Sequence, residues 1–224
     1  QKVTFFTICI VPLMLGFVIP VFVLLNFVFK GYAVFNLSEV FQITSASLTI
    51  SLLAAFFIML VSFFLIVVST YKSNNFQKTL IFLASCGYAF PGTILAVGIV
   101  VFIGWLNDLI YFRMSYFAGG FIVLVFAYCI RFLAVGNGAM RSGISRINPN
   151  LIDASRTMGR SFFTTIKRII IPLTYTNLLV GGILVFVDIL KELPITLLLR
   201  PFNFETLATY VYQYASDEML EESS

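Results

Sequence analysis

The chain has 224 residues, of which 60% are hydrophobic, 26 are Phe and only 11% are charged, with a net charge of +4. That apolar share exceeds the roughly 45–50% usual in soluble domains. With a mean hydropathy of +1.01, it excludes a water-soluble domain and a nucleic-acid-binding module and points to a membrane protein. The chain has no His, which removes zinc sites and His-based catalytic dyads, and it has no G-x-x-x-x-G-K-[ST] phosphate loop.

In chain order, runs free of charge cover Val3 to Phe29 (27 residues), Val40 to Tyr71 (32), Thr79 to Asn107 (29) and Ile169 to Val187 (19). Each is long enough for a helix to cross a bilayer core, which takes roughly 20 residues. Met114 to Ile130 adds a run of 17, which reaches spanning length if Arg131 snorkels to the headgroups or faces a protein partner. Five spans are therefore expected. The first is too long for a signal-peptide core and has no cleavage site after it, so it reads as a retained helix. In the third, GYAFPG (Gly87 to Gly92) places Pro91 inside the run, where a kink is expected, serving either packing or a hinge. Cys9, Cys86 and Cys129 all lie in apolar runs and read as packing residues.

The cations set the expected topology. Lys2, Lys72, Lys78, Arg141, Arg146, Arg156, Arg160, Lys167 and Arg168 fall on one side of the five spans, against Lys30, Arg113, Lys191 and Arg200 on the other. The positive-inside rule puts the first group, and the N-terminus, in the cytoplasm. We expect one transmembrane domain over 1–224, with a cytoplasmic loop at about 136–171 and an external tail at about 191–224. In the tail, LATYVYQYA is too short and polar to span and suits a short amphipathic helix at the surface.

Most of the cytoplasmic cations cluster around LIDASRTMGRSFFTTIKRIIIPL, Leu151 to Leu173. Asn148-Pro149 is a helix start, and Leu151, Ala154, Ser155 and Met158 form one stripe at i, i+3, i+4, i+7. Gly159 permits the left-handed turn that ends the helix. A second short helix is expected from Ser161, with Phe162, Ile166 and Ile169 on its apolar side and Pro172 opening the last span. A slim stripe of this kind suits docking into a groove on a partner, or packing back onto the chain's own helix ends.

These residues carry a resemblance. Asp153, Ala154, Ser155, Gly159, Ile169, Ile171 and Pro172 match the E-A-A-x-x-x-G-x9-I-x-L-P loop of ABC importer permeases, with Asp for Glu, Ser for Ala and Ile for Leu. Leu83 to Val100, Ala127 to Gly138 and Val185 to Glu218 resemble the C-terminal half of ferric-iron permeases, whose two halves are fused. The resemblance implies an all-α polytopic bundle of that type in the bacterial inner membrane, whose Leu151 to Ile170 loop couples it to a cytoplasmic ABC ATPase dimer. It further implies a periplasmic iron-binding protein and another permease half as partners, no cofactor, and no catalysis by this chain. A sixth helix follows the S-D-E stretch in those relatives, so a longer parent protein is expected. Permeases for thiamine or polyamines are built alike and remain the alternative cargo classes.

Asp188, Lys191 and Glu192 stand at the external end of the last span. Asp188 and Glu192 share a face at i, i+4, and two carboxylates suit a hard cation in transit, at a cargo path or outer gate. The other reading is an Asp188 to Lys191 pair anchoring the helix end before Pro194. A secondary transporter would be expected to bury carboxylates near the bilayer midplane, and the first four spans have none.

Overall fold

A computed structural model describes residues 2–31, 37–71, 74–110 and 120–217, and among them every regular element is a helix. The described residues fall into two compact units, 1–45 with 206–224, and 46–205. In the first unit, α1 (Lys2–Leu13) and α2 (Ile19–Gly31) are joined by a widened π turn at Met14–Val18. The turn ends two residues before Pro20, whose ring and missing N–H cannot be fitted into a regular helical ladder. Phe6–Phe29 forms one apolar span from these pieces. The same unit holds α11 (Leu207–Ser216), started by a capping box in which Thr206 and Thr209 each accept from the other's backbone N–H. The helix expected over LATYVYQYA is thus present, and residues 218–224 of the expected tail lie outside the described residues.

The long helix α3 (Leu37–Tyr71) passes from the first unit into the second. There it packs with α4 (Asn75–Ser85), α5 (Gly92–Ile110), α6 (Phe121–Ile144) and α9 (Ile171–Leu190). Apolar side chains gain little by leaving lipid for protein, so close contact must come from small residues. Gly136 leaves no space for a Cβ against Ser62 and Ile58 of α3, and Gly181 leaves none against Ala139 of α6 and Met59 of α3. Ile58, Val67, Leu124, Ala127, Met140, Ile170 and Val185 fill the core around these contacts. The all-α, multi-pass membrane bundle expected from the sequence is what the chain forms: among the described residues four helices are long and apolar enough to cross, or five counting a bent pair.

That pair marks where the spans differ from expectation. The third run is broken into Asn75–Ala89 and Gly92–Asp108, bent by 115°. Pro91 removes a backbone donor at the break, and Gly87, in a short 3-10 turn (Cys86–Ala89), lies against the Ile130 carbonyl. A methyl group at residue 87 would collide with that backbone oxygen. Gly87→Ala is therefore expected to lower stability by about 1–3 kcal/mol, the usual cost of overpacking a filled site. Gly98→Ala on α5, where nothing lies within 4 Å, is expected to be neutral or stabilising in the same thermal melts.

The fourth span runs Phe121–Ile144, later than the expected Met114 to Ile130, and residues 114–119 lie outside the described residues. Arg131 consequently sits inside the span and not at its end, because a partner within the protein compensates its charge. The cysteines are unpaired: Cys129 packs against the core, Cys86 is half-buried, and Cys9 is exposed, contrary to a packing role for it.

Candidate functional site

The loop after α6 is shorter than the expected 136–171, since α6 continues to Ile144. Asn148 begins α7 (Pro149–Thr157) with its side-chain oxygen accepting from the Asn150 N–H at 3.0 Å. The helix ends as expected at Gly159, whose φ of +71° is the left-handed conformation, and the Arg160 N–H reaches back to the Ser155 carbonyl at 3.2 Å. Ser161 then caps α8 (Phe162–Thr165), accepting from the Thr164 N–H.

The expected stripe is divided between two faces. Leu151, Ala154, Met158 and Asp153 are exposed, Met158 at 71%, whereas Ser155 is turned inward with Ile152. Ser155 Oγ lies 2.8 Å from Thr165 Oγ1, and both residues are 1% exposed. That hydroxyl pair ties α7 to α8 below the Gly159 turn, while Ile166 and Ile170 anchor the following turn in the core. Ile169 is half-buried, Pro172 is exposed, and nothing crowds Gly159.

Pro172 does not open a separate helix. The chain is helical from Phe162 to Leu190, passing through a π turn at Ile166–Ile170 in which the Ile171 N–H bonds the Ile166 carbonyl. A widened turn accommodates a proline that can neither donate to nor clear the carbonyl of the preceding turn. The exposed face of α7 is therefore joined, across the Gly159 turn and through one continuous helix, to the far end of α9.

At that far end the four charged residues form two pairs. Lys191 Nζ lies 2.8 Å from Asp188 Oδ1 at the surface, the anchor that was one of the two sequence readings. Glu192, 7% exposed, faces Arg131, with Nε to Oε2 at 3.2 Å. This contact is an ion pair without an aligned hydrogen bond, since Nε has no hydrogen-bond partner. Arg131 Nη1 donates instead to the Phe90 carbonyl at 2.7 Å, just where the α4–α5 pair bends. Glu192 Oε1 accepts from the Ile195 N–H at 3.4 Å, at the start of α10 (Pro194–Leu199).

Residues 191–205, expected as the start of an external tail, are thus part of the packed unit. Ile195 and Thr196 are fully buried, and α10 packs on α5 and α6. Thr196 Oγ1 gives its one proton to the Glu192 carbonyl, so Tyr128 O–H must be the donor in the 2.6 Å contact between the two hydroxyls. A knot of Phe90, Tyr128, Arg131, Glu192 and Thr196 joins α6, the bend, and the exit from α9. Sequence reasoning weighed Arg131 and Glu192 apart and passed over Tyr128 and Thr196. One arginine inside an apolar run, and one acid following a span, were the signal that could have matched them.

Among the described residues no three His, Cys, Asp or Glu side chains gather in a way that could hold a metal ion. Asp188 and Glu192 are each matched by a cation, so they do not present a bare pair of carboxylates to a cargo.

No family model matches the chain. Over 131 residues it is 27% identical to the Fe(3+)-transport system permease protein FbpB 2 of Haemophilus influenzae, a match covering 58% of this chain and 24% of that protein. The chain is similar to a ferric-iron permease. This agrees with the resemblance carried by the D-A-S and I-x-I-P residues and with the apolar helices. The match spans about a quarter of the relative's length.

Proposed function

We propose that the chain is a membrane-spanning permease part of a bacterial ABC importer for ferric iron, placed in the inner membrane with its N-terminus in the cytoplasm. A separate ATPase dimer, a periplasmic iron-binding protein and another permease half complete the machine. The observation that carries this reading is the α7–α8 elbow: a slim exposed face of Leu151, Ala154 and Met158, fixed from behind by Ser155 and Thr165 and continuous with a spanning helix. Such a face suits a groove on a partner, and its rigid backing lets a push on α7 move α9 rather than deform the loop.

In this mechanism ATP binding closes the ATPase dimer, which carries α7 with it. The 20 residues of α9 form a rod roughly 30 Å long. Its displacement arrives at Asp188, Lys191 and Glu192, which work as an outer gate: the Arg131–Glu192 pair holds the bend of the third span to the exit of α9 in one state and releases it in the other. Ferric iron is a substrate in transit here. Because the two carboxylates are already neutralised, iron passes when the pairs part, and it has no resident site among them.

The test is uptake of radiolabelled ferric iron by cells carrying the whole parent protein and its ATPase, against cells whose ATPase cannot hydrolyse ATP. Uptake is expected only with the active ATPase. Undiminished uptake without hydrolysis would make the protein a secondary transporter, and ATP-driven uptake of thiamine or a polyamine, but not of iron, would change the cargo.

A further inference from the structure

Gly92 is buried and opens α5 immediately after the Pro91 break. Its φ is not in the left-handed region, so the backbone there does not call for glycine, but the space does. A methyl group at residue 92 would stand 2.6 Å from Glu192 Oε1, 3.3 Å from Pro194 Cβ and 3.4 Å from Arg131 Nη1. Both members of the ion pair therefore rest against the bare face of one glycine. The oxygen nearest to it is the one that accepts from the Ile195 N–H at 3.4 Å, and the other carboxylate oxygen meets Arg131 Nε at 3.2 Å.

Gly92 differs in kind from Gly87 on the other side of the break. A Cβ at residue 87 meets the Ile130 carbonyl, which is backbone and cannot give, whereas at residue 92 the nearest atom ends a flexible side chain. Ordinary C···O contacts lie at about 3.3–3.6 Å, so the Glu192 oxygen would retreat by roughly 0.7–1 Å. The Pro194 ring stands on one side of it and the Arg131 head on the other, so the retreat swings the whole carboxylate. Its two contacts part readily: the Ile195 bond is long, and Arg131 Nε has no aligned hydrogen bond to lose. Arg131 keeps its 2.7 Å bond to the Phe90 carbonyl, so the bend itself survives. A side chain at residue 92 thus opens the pair without dismantling the fold around it.

We propose that Gly92 is the positioning residue of the gate: its missing side chain is what lets Arg131 and Glu192 close, and it thereby sets how fully the importer rests with the gate shut. The inference rests on the gate reading given under the proposed function and deepens it. Linkage gives it a sign. In that mechanism nucleotide binding and a parted pair belong to the same state, so weakening the closed pair raises the population that binds ATP. Apparent affinity rises in proportion to that population. Mere damage to the fold has no reason to tighten a ligand on another subunit.

The experiment uses the whole parent protein with its ATPase in lipid nanodiscs and titrates a non-hydrolysable ATP analogue. Gly92→Ala is expected to melt close to the native protein and to bind the analogue about tenfold more tightly, the shift that about 1.4 kcal/mol of lost closed-state stability makes. Hydrolysis without the iron-binding protein should rise with it. Gly98→Ala, elsewhere on α5, is expected to change neither reading. Gly92→Ala/Glu192→Asp draws the carboxylate back by one methylene and should return the affinity toward the native value. Unchanged or weaker nucleotide affinity in folded Gly92→Ala would overturn the proposal, as would a double variant that binds the analogue as tightly as Gly92→Ala. A Gly92→Ala protein that melts as early as Gly87→Ala would overturn it too, because the carboxylate would not have given way. The two readings fail separately: ATP-driven iron uptake by the native protein with no shift in Gly92→Ala removes only the role of Gly92, whereas native uptake without hydrolysis removes the importer itself.

Discussion

Ala154→Trp is expected to leave the protein inserted and folded but to cut ATP-driven uptake by well over tenfold. Ala154 lies on the exposed side of α7, so an indole there displaces no core packing and costs the fold little. Against a partner's groove the same indole removes the slimness that docking needs, and about 1.4 kcal/mol of lost contact already lowers affinity tenfold. Gly159→Pro is expected to act by another route. Proline cannot adopt the φ of +71° found at that position, so the turn that sets α7 against α8 must open and the elbow loses its rigid backing. The measurement pairs ATPase activity with iron uptake: in both variants hydrolysis should run uncoupled from transport. Coupled uptake at wild-type rates in Ala154→Trp would show that the exposed stripe docks nothing.

The elbow was legible in the sequence because its signals are local. Asn148-Pro149 starts a helix, Gly159 ends it, and Ser161 starts the next, each acting within a few residues. What periodicity could not give was the role of Ser155. On a wheel it belongs with Leu151 and Met158, yet its hydroxyl is drawn inward by Thr165, a partner across the turn that no stripe encodes. Long apolar runs likewise announced the spans, but their ends were read from charge, and Arg131 misled that reading. A charge inside a span is tolerable when an opposite charge is buried beside it, and Glu192 reaches Arg131 only through the fold. Pro91 and Pro172 were equally visible, and the same missing N–H gave different outcomes. At Pro91 the glycines and the Arg131 bond to the Phe90 carbonyl fix a bend of 115°; at Pro172 a π turn lets the helix run on.

Removing one member of the Arg131–Glu192 pair is expected to destabilise the protein by roughly 3–5 kcal/mol, the usual cost of leaving a buried charge uncompensated. Glu192→Gln strands the Arg131 guanidinium in a wall of helices without a counter-charge, left with the Phe90 carbonyl and the face of the Phe132 ring. Arg131→Met strands the carboxylate, whose remaining side-chain partner is the Ile195 N–H. Combining them as Arg131→Met/Glu192→Gln should recover most of the loss, because no charge is then buried and the Gln oxygen still accepts from Ile195. Thermal melts of the four proteins in detergent measure this cycle, and additive losses would mean that the two residues do not act as a pair. Transport then separates anchoring from gating. If the pair only fastens α9 to the bend, the neutral double variant should carry iron as well as the native protein. A gate needs two arrangements that differ in energy, and a neutral contact has no charge to part and re-form, so the double variant is expected to be stable and yet slow.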